Sequence, residues 1–199
     1  MKLVDLNGIA TADLPIQAMR EHLRLGTGFS DETLQDGVVE QALRAAIAAI
    51  EARTGKVMFQ RSFRWVLAGW RNPFRQPLPV APVAAVTSFS VLARNGDVVG
   101  GALNDLNLVE DSQRPALVPR GASLPTIPVH GTVEIGLEAG FSLTWGGMPA
   151  DLAQAALLLA GHFYEVRHEA NGDDGNMPYG VSHLIAPYRT VRILGGATA

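Results

Sequence analysis

PADLAQAALLLAGHFYEVR, Pro149 to Arg167, followed after a short Gly/Asp loop by MPYGVSHLIAPYR, Met177 to Arg189, is the stretch on which the reading of the fold turns. Between Leu152 and Tyr164 only Gln154 and His162 are polar. A helix that is apolar all round must be enclosed on more than one side, so this segment predicts a central element or a subunit contact. Its thirteen apolar-dominated residues fall short of the roughly 20 needed to cross a bilayer.

Upstream, Asp13-Leu14-Pro15 predicts the opening of a first short helix carrying Ile16, Met19 and Leu23 at helical spacing. Ser30 predicts the cap of a second, longer helix, with Asp31 and Glu32 in its first turn and Gly55 at its end. Within it Val39, Leu43, Ile47 and Ile50 form one apolar stripe, flanked by alanines that let another helix come close. Gly37 inside that helix costs on the order of 1 kcal/mol relative to alanine, and the sequence offers no reason for it.

After Lys56 the period changes to two. Phe59, Arg61, Phe63, Trp65 and Leu67 face one way and Gln60, Ser62, Arg64 and Val66 the other, which predicts a strand. Val83 to Ala93 predicts a second, Asn95-Gly96 a hairpin turn, and Gly96 to Leu103 a returning third. Leu106 to Glu110 and Pro115 to Val118 are shorter candidates, and Thr132 to Phe141 alternates cleanly. The expected fold is therefore α+β. A helical body of about four helices, residues 1–56 and 145–199, carries a small antiparallel β-rich insertion at 57–144.

Composition narrows the function. At 199 residues, with 47% apolar and 18% charged side chains, the chain supports a packed core. A formal charge of −3 argues against a general polyanion binder, and only 57–141, with 7 basic and 6 acidic residues, is not net acidic. The absence of cysteine removes disulfides, thiolate metal sites and thiol nucleophiles, and suits a reducing cytoplasm. With a short N-terminal apolar stretch and no membrane-length helix, the expectation is a soluble protein that neither spans nor binds a membrane.

Candidate chemistry is sparse. His162, Glu165 and His168 lie at i, i+3 and i+6, which places the third about 120° from the first, so one helix cannot aim all three at one metal ion. His22, His130 and His183 have no neighbouring cluster in sequence, and NGDDGN lacks the spacing of a calcium loop. Phosphate loops and nucleophile elbows are absent. The expectation is no catalytic residue, no metal and no cofactor. Arg61, Arg64, Arg71 and Arg75 interleave with Phe63, Trp65, Trp70 and Phe74, so a small nucleic-acid-binding module over 61–75 is the alternative function. The plainer reading is a strand with core aromatics followed by a solvated loop.

The segments 149–167 and 177–189 resemble the C-terminal half of head–tail connector (adaptor, or head completion) proteins of long-tailed phages, a family that also serves gene transfer agents. EHLRL (21–25), IEARTGK (50–56), PVAAVTSFSV (82–91) and VEIGLEAGF (133–141) fit the same pattern in the same order, so the resemblance spans about residues 14–192. It implies a structural subunit, made in the bacterial cytoplasm, at the neck of a phage-like particle. Such a subunit forms a ring, dodecameric by the portal's symmetry, around a DNA channel, touching the portal on one side and a tail-side stopper on the other. DNA passes through without specific binding.

Candidate subunit-interface residues are Leu158, Tyr164, Arg167, Tyr179, Tyr188 and Arg189, since tyrosine and arginine are enriched at interface hot spots. Packing of the last two helices within one subunit accounts for them equally. Thr190 to Leu194 favours an extended strand that can add to another chain's sheet edge or remain a frayed end. The resemblance implies docking to the portal there, with Val191, Arg192, Ile193 and Leu194 as the binding residues.

Overall fold

The computed structural model describes residues 1–25, 32–166 and 177–189. The fold is α+β, with four α-helices and two antiparallel sheets among these residues. The expected cap Ser30, the first-turn Asp31 and the NGDDGN loop lie outside the described residues.

Helices α1 (Ile16–His22), α2 (Glu32–Thr54), α3 (Ala150–Glu165) and α4 (Tyr179–Ile185) share one buried cluster. The α2 stripe Val39, Leu43, Ile47 and Ile50 is buried, as are Ala42 and Ala46, whose small side chains let α3 approach. Gly55, at φ +68°, ends α2 in the left-handed region that glycine enters without strain. On α3, Leu152, Ala155, Ala156, Leu159, Ala160 and Gly161 are buried, while Leu157, Leu158, Phe163 and Tyr164 are partly buried against the same cluster. The helix is thus enclosed on several sides, by α1, α2 and α4, as its sequence requires. Gly161 is the point where α1 crosses: the His22 ring lies 3.5 Å from where a Cβ would stand. Gly37 has open space around it, and nothing in the structure explains it.

The larger sheet has the order β1-β2-β8-β4-β5, from β1 (Lys2–Asp5), β2 (Arg61–Leu67), β8 (Thr132–Ala139), β4 (Val83–Leu92) and β5 (Val98–Gly100). The smaller one runs β3 (Gln76–Pro77), β7 (Ala116–Pro119), β6 (Leu106–Val109). Alternation in β2 and β8 sets the register. Phe63 stands opposite Leu137, Trp65 opposite Ile135 and Leu67 opposite Val133, all facing a second buried cluster that includes Leu106, Leu117 and Leu124.

Two features depart from the sequence reading. Lys2–Asp5, placed there with the helical body, is strand β1, paired antiparallel with β2 on the large sheet. Four residues cannot announce a strand by periodicity, and this one exists only because β2 offers an open edge. The strand expected over 96–103 shortens to Val98–Gly100, because Gly101 turns at φ +92° and Leu103–Asp105 coil into a 3-10 turn.

Arg61 ties the two halves together. Its side chain is 9% exposed, with Nη2 2.8 Å from Glu51 Oε2 on α2 and Nε 3.0 Å from Asp5 Oδ2 on β1, while the guanidinium covers the Phe63 ring. Glu51 also accepts the Met58 backbone N–H at 2.8 Å. Losing Arg61 leaves the partly buried Glu51 carboxylate without its cation, while Asp5 stays in contact with solvent. We therefore expect Arg61→Ala to destabilise the fold by about 1.5–3 kcal/mol, measured by urea unfolding, whereas truncating exposed Arg64 should shift it by no more than about 0.5 kcal/mol.

Candidate assembly surface

The residues expected at an interface fall into three groups. Tyr179, directly after the N-cap Pro178 of α4, is 86% exposed and stacks on His183 one turn later at 6.3 Å between ring centroids. Leu158 and Tyr164 are half-buried on α3. Arg189 is exposed and is the last described residue before the C-terminal segment. Arg167 and the tail residues Val191, Arg192, Ile193 and Leu194 lie outside the described residues.

Tyr188 behaves differently. It is half-buried, its hydroxyl donates to Asp151 Oδ1 at 2.7 Å, and its ring meets Phe141 edge-on at 5.6 Å. It therefore clasps the end of α4 to the first turn of α3 within one subunit. A second tie lies beside it. Lys56, 2% exposed at the end of α2, donates from Nζ to the Gln113 carbonyl at 3.2 Å, and Gln113 Nε2 donates to the Pro187 carbonyl at 3.3 Å. Burial pulls the Lys56 ammonium below its ordinary pKa, with the nearby Asp111 carboxylate opposing that shift. Backbone N–H groups of Arg114 and Gln113 hold the Asp111 carboxyl below the usual carboxylate range and so fix the 111–114 turn. The point where the chain leaves α4 is thus held from two directions. Sequence reasoning missed Asp151, Lys56 and Gln113, since none sits in a motif and their meeting is tertiary.

The 61–75 stretch does not form one surface. Phe63 and Trp65 are core residues, Arg61 is consumed in internal ion pairs, and Trp70 is half-buried with its Nε1 donating to the Pro125 carbonyl at 2.7 Å. Arg64, Arg71, Phe74 and Arg75 remain exposed. Successive bases need several exposed aromatic platforms to stack upon, and Phe74 is the one this stretch presents.

His22 and His162, distant in sequence, come together with Arg24 and Glu165 on an open cleft of about 530 Å³ between α1, the last turn of α3 and the start of α4. Leu158, Gly161 and Val181 form its apolar part. Among the described residues no three His, Asp or Glu side chains are gathered to hold a metal ion. No helix among them is long and apolar enough to cross a membrane.

Burial, then the hydrogen bond to Asp151 and its charge, push the Tyr188 phenol from 10.0 up to about 12. The folded protein keeps this proton where the unfolded chain gives it up. The stabilisation is complete below about pH 10 and is lost as pH rises to about 12. Urea unfolding across that window should show a falling stability, and Tyr188→Phe should remove its contribution to the slope while lowering stability at neutral pH by about 0.5–1.5 kcal/mol.

No family model and no curated protein match this sequence. Solved structures do. A chain from the neck of an empty GTA particle computed with C6 symmetry is 46% identical, with a TM-score of 0.90, over 98% of this chain and 99% of that one. A chain from the virion of the native gene transfer agent (GTA) particle is 45% identical at a TM-score of 0.86, and one from the native neck computed with C12 symmetry is 42% identical at 0.84, each with the same coverage. Identity at this level along both full lengths carries sequence and fold together, so this chain belongs to the head–tail connector (adaptor) family, with relatives in the necks of gene transfer agent particles.

Proposed function

We propose that the protein is a structural adaptor, twelve copies of which close into a ring between the portal and the tail of a phage-like particle. The observation that carries this reading is the end-to-end similarity to chains of necks computed with C12 and C6 symmetry. A closed ring requires a heterologous contact, in which one face of each subunit meets a different face of the next. Tyr179 at the start of α4, Leu158 and Tyr164 on α3, and Arg167 and Arg189 serve as contact residues on the helical side. Tyr188 supports them from within. Residues 1–56 and 145–199 form the connector body and 57–144 its insertion, with β1 reaching across to brace the sheet.

The formal charge of −3 suits a conduit that lets DNA pass without gripping it, because each phosphate contact adds salt-dependent affinity. Portal attachment is assigned to Val191, Arg192, Ile193 and Leu194, part of a β-favouring run that suits strand addition to a partner sheet. A tail-side stopper meets the opposite face of the ring. In this role the protein performs no reaction and needs no cofactor, and it is made in the bacterial cytoplasm before joining the particle neck. Deleting Thr190 to Ala199 should leave the thermal unfolding transition in place and abolish portal capture in a pull-down. Capture at the wild-type level would remove the tail from this role.

A further inference from the structure

The five-stranded sheet has two open edges, β1 on one side and β5 on the other, with no strand beyond either among the described residues. Monomeric proteins protect such edges with charge, proline or a covering element. β5 carries no charge or proline and β1 is charged only at its ends, Lys2 and Asp5, and exposed apolar side chains stand at both edges. Val98 is 66% exposed, Val99 56% and the adjoining Leu103 43%, while Met1 at 88% and Leu6 at 53% flank β1. We propose that these edges are complementary halves of one interface, and that β5 of each copy pairs with β1 of the next around the ring. The inference rests on the adaptor reading for the ring itself and adds the surface by which its sheets are joined.

The topology fixes the sense of this pairing. Every neighbour in the order β1-β2-β8-β4-β5 is antiparallel, so across five strands β1 and β5 run in the same direction. Neighbouring copies in a twelvefold ring are related by a rotation of about 30°, too small to reverse a strand's direction whatever its tilt. The junction is therefore parallel. Charge agrees: Lys2 opens β1 and Asp97 immediately precedes β5, so parallel pairing brings ammonium and carboxylate to the same end. Antiparallel pairing would set Asp5 beside Asp97, a like-charge contact that opposes it. A parallel ladder of three or four residues is short, so it sets register and rotation between subunits while the helical faces supply most of the buried area.

Because the chain has no cysteine, introduced thiols report the contact cleanly. Lys2 and Val98 are both exposed, start their strands at the same end, and point to the same face of the sheet through their partners Val66 and Leu92. Neighbouring strands bring Cα atoms to about 4.8 Å, within disulfide range. In rings assembled from full-length Lys2→Cys/Val98→Cys protein, oxidation should give a ladder of covalent multimers on a denaturing gel, with either single variant remaining monomeric. Rings of unchanged copy number without a ladder, or dimers from a single variant, would overturn the edge pairing and leave the adaptor reading standing. Failure of the unsubstituted protein to form rings with the portal present would overturn both.

Discussion

The structure depends on enclosing α3. A helix whose only polar side chains between Leu152 and Tyr164 are Gln154 and His162 cannot stand in water on all sides, and the neighbouring elements cover it. Alanines on α2 permit close approach from one side, Gly161 admits α1 from another, and Val181 and Ile185 of α4 close a third. Fully burying a leucine such as Leu152 or Leu159 contributes about 1.5–3 kcal/mol to the helical core. What remains partly exposed, Leu157, Leu158 and Phe163, is apolar surface at the edge of an otherwise complete core.

A rigid helical body is useful to an assembly only if the rest of the chain is fixed relative to it. The two buried clusters are separate, one among the helices and one within the sheets. They are joined by polar links at a few points. Arg61 connects β2 to both α2 and β1, and the Lys56–Gln113–Pro187 chain connects the end of α2 to the end of α4. Hydrogen bonds and ion pairs are directional in a way that apolar contact is not, so these links specify orientation where packing alone would allow sliding. Tyr188 completes the arrangement by fixing the exit of the chain against Asp151.

Periodicity made the large elements legible. The stripe of α2, the all-round apolar character of α3 and the alternation of β2 and β8 each appear in the structure where the residues place them. The α+β class follows from their order. Contacts between distant segments were not legible: β1 and β3 are too short to show a period and are defined by the strands they pair with. Gly100 and Gly101 looked compatible with a continuing strand, whereas the backbone turns at Gly101. The meeting of His22 with His162 depends on how α1 crosses α3, and the only sequence trace of it is the small residue Gly161 within a bulky run. Residue type marked Tyr179 and Tyr188 alike as interface candidates, and only the coordinates separate an exposed ring from an internal clasp.

The adaptor role requires this chain to be a stoichiometric part of a particle neck. Quantitative mass spectrometry of purified particles, with isotope-labelled peptides from this chain and from the portal subunit, measures that ratio directly. One copy per portal subunit is the expected result. Particles that lack the chain, or carry it at several-fold lower abundance while remaining tailed, would contradict it.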